Sequence, residues 1–332
     1  MTGNYRVDRE RHGRDMDLEK SMLEKQRMKM LCSDEICTVF QMENETGEGT
    51  ATVYQPYSGI YIMYNDYHMA GCPARQIEYK QTIIIEHCRE GRIEWETSNG
   101  TYLYLAAGDT MLDSLSSKNQ MCNFPLCHYH GVNITVVIPE IDEETRELFA
   151  SFGIDLLLLE KRFDVEKNPF VMHGGTSLDH IFHELYHVPE KVRLEYLRVK
   201  ILEILVLLKA VDKAEIEEVK PYFYKSQVEK VKAIMELMTS NPEIHYTMEE
   251  LAEEYDIPVS ALKKCFKGVY GTAIFTYMRN FRMDMAATLL IQTDDSITDI
   301  AGKVGYANCS KFAGAFKSVK GKAPLEYRKT KR

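Results

Sequence analysis

Two stretches in the last part of this chain carry the same pattern, and that duplication limits what they can fold into. Leu251-Ala252 begins a stretch that runs through Phe266-Lys267 to Gly271; Ile300-Ala301 begins another that runs through Phe316-Lys317 to Gly321. The Phe-Lys pairs and the closing glycines are 50 residues apart and the apolar-Ala pairs 49, so the turn of the second copy holds one inserted residue. Spacing held over two copies specifies one supersecondary unit used twice, and each copy has the dimensions of a helix-turn-helix.

Local signals set the limits of each helix. In the first copy Thr247 is the expected cap of a helix from Met248 to about Tyr255, with Glu249 and Glu250 in its first turn and Glu250 placed to close a capping box. Asp256-Ile257-Pro258 ends that helix, because the residue before proline is driven out of the α region. The second helix, about Val259 to Val269, buries Leu262, Cys265 and Phe266 and turns Ser260, Ala261, Lys263, Lys264 and Lys267 outward. In the second copy Ser296 caps a helix from Ile297 to Val304, Gly305 ends it with positive φ, and Asn308 caps a helix from Cys309 to about Val319. Phe312, Ala315, Phe316 and Val319 turn inward there, leaving Ser310, Lys311, Gly314 and Lys317 outward. Between the copies, Ile274 to Leu290 reads as one helix, roughly 25 Å long at 1.5 Å per residue. That spacer would set the two basic helices about one DNA turn, roughly 34 Å, apart.

Charge is distributed to match. Residues 257–332 hold 14 Lys or Arg against 5 Asp or Glu, a net of +9, while the whole chain carries −9, leaving −18 for residues 1–256. Positive charge gathered at one end of an acidic chain is the asymmetry expected where that end meets phosphates. A single copy would read equally well as a helical hairpin with a solvated basic face; two copies in register favour nucleic acid.

The run Gly305-Tyr306-Ala307-Asn308-Cys309-Ser310-Lys311-Phe312, followed by Phe316-Lys317, Gly321, Pro324, Tyr327 and Arg328, resembles the signature of the AraC/XylS family of bacterial transcription regulators. Leu251-Ala252, Leu262, Phe266-Lys267, Gly271, Tyr277, Arg282, Ala286 and Leu289-Leu290 carry the resemblance upstream, so that it covers roughly residues 228–330. The resemblance implies a seven-helix, two-unit module that places one helix of each unit in successive major grooves. Pro258 stands where family members often have a capping serine and Ala273 where they often have proline, while Cys309 and Gly314 leave the second reading helix poor in base-contacting side chains.

The first 220 residues follow another period. Residues 1–35 are polar and read as a frayed helix or an arm. From about Ile36 to Pro139, Thr50–Tyr54, Gly59–Tyr64 and Gly100–Leu105 alternate, and Ile83–Ile85 and Ile134–Ile138 read as buried strands. Gly91, Asn99-Gly100 and Gly108-Asp109 mark the expected turns. Many short strands with regular turns suggest a β-barrel or jelly roll. The stretch His87–Arg92, with Gly108-Asp109 after it, is similar to the cupin-like sensory domains attached to such modules. From Glu143 the pattern is helical, and Leu194, Leu197, Ile201, Leu205 and Leu208 form a row that could be a dimer seam while Val199, Leu202 and Val206 cover the barrel. Val211 to Ser226, charged and holding Pro221, reads as a linker.

The expected fold is therefore α+β in two domains. A cupin-like barrel (36–140) with packing helices (141–212) makes an effector-binding and dimerisation domain over 36–220, and an all-α double helix-turn-helix over 226–332 has units at 247–269 and 296–320. At 332 residues, 45% hydrophobic and 27% charged, the chain can fill two cores, and no run reaches the length of a membrane span. Eight cysteines without a C-x-x-C pair, two of them Cys265 and Cys309 in the reading helices, and no apolar secretory core near the N-terminus point to reduced thiols in a bacterial cytoplasm, at the nucleoid when DNA is bound.

One motif argues for an enzyme. His183-Glu184-Leu185-Tyr186-His187 matches H-E-x-x-H, which on a helix sets two imidazoles on one face with a carboxylate as base, and His180 adds a third. Pro189 stops the helix too early and no third ligand follows at the required offset, so ordinary surface or packing histidines are expected. His128 and His130, two apart in a strand, could point together into a barrel, with His87 and Glu90 as further donors, but the spacing is not that of a metal cupin. The expectation is a non-enzymatic regulator without cofactor. Its partners would be double-stranded promoter DNA, a small effector, a second copy of itself and RNA polymerase, with no membrane. The alternatives are a metal-dependent cupin or zinc hydrolase with a DNA-binding tail, and a constitutive DNA-binding protein whose barrel only dimerises.

Overall fold

The computed structural model describes residues 28–73, 81–97, 99–114, 121–163, 169–175, 177–211 and 223–331. It divides into two compact units, Met1–Asn99 with Leu103–Pro221, and Gly100–Tyr102 with Tyr222–Arg332. The strands of the first unit are β1 (Met28–Ser33), β2 (Cys37–Asn44), β3 (Gly47–Tyr57), β4 (Ile60–His68), β5 (Gly71–Pro73), β6 (Thr82–Glu96), β7 (Thr101–Ala106), β8 (Thr110–Asp113), β9 (Met121–Asn123), β10 (Tyr129–Val137) and β11 (Phe170–Met172). They follow the order β1-β2-β3-β4-β10-β6-β7, with β8 and β9 also on β6, β11 on β8 and β5 on β9, and form a curled, largely antiparallel half-barrel.

Two sequence expectations change here. Of the polar arm, residues 1–27 lie outside the described residues, but Met28–Ser33 is a strand paired with β2 from Met28↔Met42 to Ser33↔Thr38. Its side chains are almost all exposed, so the backbone ladder holds it and no burial pattern announced it. Gly91 marks a bulge inside β6 and not a turn. Arg89 is the extra residue between the pairs His130↔Glu90 and Gly131↔Cys88, and Gly91 has φ +86° with any Cβ 2.2 Å from the His128 carbonyl oxygen. The other two turns fall as expected, with Gly100 at φ +70° and Gly108 at φ +88°.

Helices α1 (Glu143–Ser151), α2 (Leu156–Phe163), α3 (Asp179–Leu185) and α4 (Arg193–Ala210) cover one face of the sheet. Asp142 caps α1 by accepting from the Thr145 amide at 2.9 Å. Alternate residues of three adjacent strands (Ile60 and Ile62, Ile83 and Ile85, Val132, Ile134 and Val136) meet Phe149, Leu159, Phe163 and Phe182 in one core. The proposed seam of α4 belongs to that core: Leu197, Ile201, Leu205 and Leu208 are buried in it, and Leu194 is half-buried. Of the row expected to cover the barrel, Leu202 and Val206 do pack, half-buried, against the same core, and only Val199 is exposed. Burial of a Leu or Ile is worth about 1.5–3 kcal/mol, so four such residues hold α4 to the sheet by this face. On the other face of the sheet Tyr67, Phe124 and Tyr129 stack, and the Glu86 carboxylate accepts from the Tyr129 hydroxyl (3.0 Å) and the Asn133 amide (3.3 Å).

The second unit is helical apart from a two-residue strand, Phe223–Tyr224, that pairs antiparallel with Tyr102 and Thr101. Its described helices are α5 (Lys225–Ser240), α6 (Met248–Glu254), α7 (Val259–Tyr270), α8 (Ile274–Gln292), α9 (Ile297–Lys303), α10 (Cys309–Lys320) and α11 (Pro324–Lys331), seven in all. The linker expected at 211–226 falls mostly outside the described residues, and α5 begins before its end. Among the described residues no helix is long and apolar enough to cross a membrane.

Candidate nucleic-acid interface

Helices α6 and α7 form one hairpin, α9 and α10 the other, and the repeat extends to their backbone. The Thr247 hydroxyl accepts from the Glu250 amide (3.1 Å) while the Glu250 carboxylate accepts from the Thr247 amide (2.8 Å), the reciprocal cap the sequence implied. Ser296 caps α9 by accepting from the Asp299 amide at 3.1 Å. The turns then coincide at an offset of 49. Ile257 N–H donates to the Ala252 carbonyl at 3.0 Å, as Tyr306 N–H does to Ala301 at 2.8 Å. The residue before each is left-handed, Asp256 with φ +47° and Gly305 with φ +81°. The first turn thus rests on a left-handed aspartate as well as on Pro258, which sequence alone did not show. The inserted residue lies beyond these bonds, between Tyr306 and Asn308, so Ala307 has no counterpart.

From the caps onward the offset is 50. Asn308 caps α10 through its side-chain oxygen, which accepts from the Lys311 amide at 2.9 Å, while Pro258 provides no side-chain cap for α7. Both helices end on a left-handed glycine, Gly271 and Gly321, whose amides donate to the Lys267 and Lys317 carbonyls at 2.9 Å. Phe266 meets Tyr277 edge-on with centroids 6.1 Å apart, and Phe316 meets Tyr327 edge-on at 5.3 Å. Two arginines brace the segments leading into the hairpins. Buried Arg282 donates to the Pro242 and Ile244 carbonyls (2.7 and 2.8 Å), and Arg328 to those of Leu290 and Asp295 (3.1 and 2.7 Å).

With apolar faces fixed, the opposite faces of α7 and α10 go to solvent. Ser260, Lys263, Lys264 and Lys267 are exposed on α7, with Ala261 half-buried, and Asn308, Ser310, Lys311, Gly314 and Lys317 are exposed at α10. Lys230, Lys303 and Lys320 nearby are paired with Asp256, Asp295 and Asp284. Among the described residues Lys263, Lys264, Lys267, Lys311 and Lys317 have no such carboxylate. Gly314 faces open space, so the α10 backbone itself lies bare there.

A profile described as a helix-turn-helix domain matches residues 251–330. Over 127 residues the chain is 26% identical to the transcriptional activator RhaR of Mannheimia succiniciproducens, covering 38% of this chain and 44% of RhaR. Over 89 residues it is 33% identical to a protein described as an AraC-like transcription regulator of Streptomyces lividans, covering 27% of this chain and 29% of that one. The chain thus spans less than half the length of these relatives. The crystal structure of a transcriptional regulator of Chromobacterium violaceum, described by its AraC-type DNA-binding domain, aligns with 31% of this chain and 92% of its own at 25% identity and a TM-score of 0.29. The carboxyl-terminal module is of the AraC family. In this AraC-type module the seven helices and the doubled unit inferred from the sequence are both present.

Among the described residues the H-E-x-x-H segment is not one continuous helix. Helix α3 ends at Leu185, before His187, whose Nδ1 lies 2.7 Å from the His183 carbonyl oxygen. Glu184, the would-be base, is paired with Lys200, which holds its carboxyl below the usual range. His87 is buried, stacked on Phe182 at 4.3 Å with Nδ1 3.0 Å from the Tyr186 hydroxyl, and burial pulls its pKa down to about 4. His128 precedes β10, and His130 lies on the face of Val132 and Ile134, the one the helices cover, away from Tyr129 and Asn133. His130 does gain partners that sequence spacing did not reveal: Asp66 and His68 of β4.

Proposed function

We propose that this protein is a sequence-specific DNA-binding transcription regulator whose amino-terminal unit responds to a small molecule. The observation that carries the reading is the set of five exposed lysines without carboxylate partners, placed on the corresponding helices α7 and α10 of a doubled AraC-type unit. Lysines whose charge is not spent within the protein are free to displace counterions from phosphates, and others on the same faces reach base edges. Ser260 and Ser310 add hydroxyls to either reading helix. Asn308, whose oxygen is engaged by the Lys311 amide, keeps its NH₂ for an acceptor. Ala261 and Gly314 let the helices approach the groove closely. RhaR is named a transcriptional activator, which favours activation here too.

Selection of binding sites from random duplexes with the full chain tests this. The expected outcome is a motif of two blocks centred about 10–10.5 base pairs apart, one for each reading helix. Absence of any enriched motif would remove the regulator reading. Sensing rests on the polar and aromatic face around Glu86, Tyr129 and Asn133, and a thermal-shift screen of small metabolites checks it. A homodimer built on α4 would use its outward face, where Val199 is 59% exposed.

A further inference from the structure

Strands β4 and β10 run antiparallel with His130 directly opposite Asp66. His68, two residues further along β4, shares their face. The Nε2 atoms of His68 and His130 lie 3.0 and 3.2 Å from one oxygen, Asp66 Oδ1, and the ligand atoms of the three side chains all lie within 4.8 Å of one another. Two donors bound to one ion at about 2.0–2.1 Å, at angles between a right angle and the tetrahedral value, stand roughly 2.9–3.4 Å apart. Both His–Asp separations already have that spacing. We propose that Asp66, His68 and His130 bind a divalent transition ion of the zinc class, a property that goes beyond DNA binding and does not depend on it.

The donor set selects the class of ion. Two imidazoles and one carboxylate suit zinc, cobalt or nickel, whereas calcium and magnesium require a shell of oxygens. Access is open, with Asp66 and His68 side chains 54% and 63% exposed and His130 at 29%, so an ion enters from solvent and keeps water on its outer side. The surroundings favour a cation. Glu48 lies opposite His68 on β3, and Glu90 opposite His130 on β6. The His128 ring lies 6.1 Å from that of His130, and its Nδ1 is 3.2 Å from the Leu126 carbonyl oxygen. Donation from Nδ1 to that carbonyl leaves the lone pair on Nε2, the tautomer a fourth ligand needs.

The test uses the full chain without a histidine tag, titrated with Co²⁺ and then with Zn²⁺. One Co²⁺ per chain is expected, with a visible ligand-field band that Zn²⁺ abolishes, and His68→Ala or His130→Ala should weaken binding by roughly tenfold or more. Asp66→Asn separates a metal site from a hydrogen-bonded cluster, since its amide oxygen still accepts from both rings but is a poor ligand. Unchanged thermal stability with lost cobalt binding supports the site. Unchanged cobalt binding in His68→Ala/His130→Ala overturns it, as does loss of binding only in His183→Ala/His187→Ala, or no cobalt band at all.

Discussion

Replacing Lys263, Lys264, Lys267, Lys311 and Lys317 together by alanine isolates the electrostatic part of DNA binding, because each is exposed and lacks a carboxylate partner among the described residues. A lysine that neutralises one phosphate contributes about 0.9 to the slope of log K against log salt, so five contribute about 4.5. Between 50 and 200 mM salt that slope alone corresponds to a change in affinity of about 500-fold, and each lysine to a factor of about 3.5. Fluorescence anisotropy on a labelled duplex of arbitrary sequence measures it, because non-specific binding is almost wholly this term. Lys303→Ala and Lys320→Ala provide the internal control: both are held by carboxylates, Asp295 and Asp284, and should leave the slope nearly unchanged. A five-alanine variant whose slope stays within about one unit of the parent would refute the assignment of these faces to DNA.

Three further outcomes follow from the geometry. Gly305→Ala should destabilise the carboxyl-terminal unit by about 2 kcal/mol, from a left-handed φ of +81° and a Cβ 3.0 Å from the Glu243 carbonyl oxygen, whereas Asp256→Gly should be neutral or stabilise by up to about 1 kcal/mol; calorimetry resolves both. His87 has a folded pKa of about 4 against an ordinary 6.5, so the unfolded chain binds its proton first as pH falls. The stability this contributes, about 3 kcal/mol, is complete above pH 6.5 and is lost towards pH 4, and His87→Phe should flatten unfolding free energy across that window. Ile201→Ala should cost about 2–4 kcal/mol, while Val199→Asp should change stability by no more than about 0.5 kcal/mol and, if α4 forms the dimer, abolish self-association in sedimentation.

What the sequence disclosed is divided by range of interaction. Thr247 with Glu250, Ser296, Asn308 and the closing Gly271 and Gly321 act within one turn of chain, and all six sit where local signals put them. The left-handed Asp256 escaped because Pro258 already accounted for a break. Helix α4 is apolar on two faces, so its period could not tell which row meets the sheet; that is decided by Ile60, Ile83 and Val132, far away in sequence. Strand β1 hides almost nothing from solvent and left no alternation to find. The His68–Asp66–His130 group needed the register of β4 against β10, 62 to 64 residues apart, which no local spacing encodes.

Helix α8 belongs to both halves of the repeat: Tyr277, near its start, packs on Phe266 of the first hairpin, and Met283, Ala286 and Leu290, further along, enter the core of the second. On the proposed reading it is the axle between the two hairpins, and its winding would set the phase in which their lysine faces meet a duplex. A glycine placed mid-helix near Asn280 would leave every contacting side chain intact and yet let the two half-motifs drift in separation, a route by which such a protein could acquire new promoters without relearning a single base.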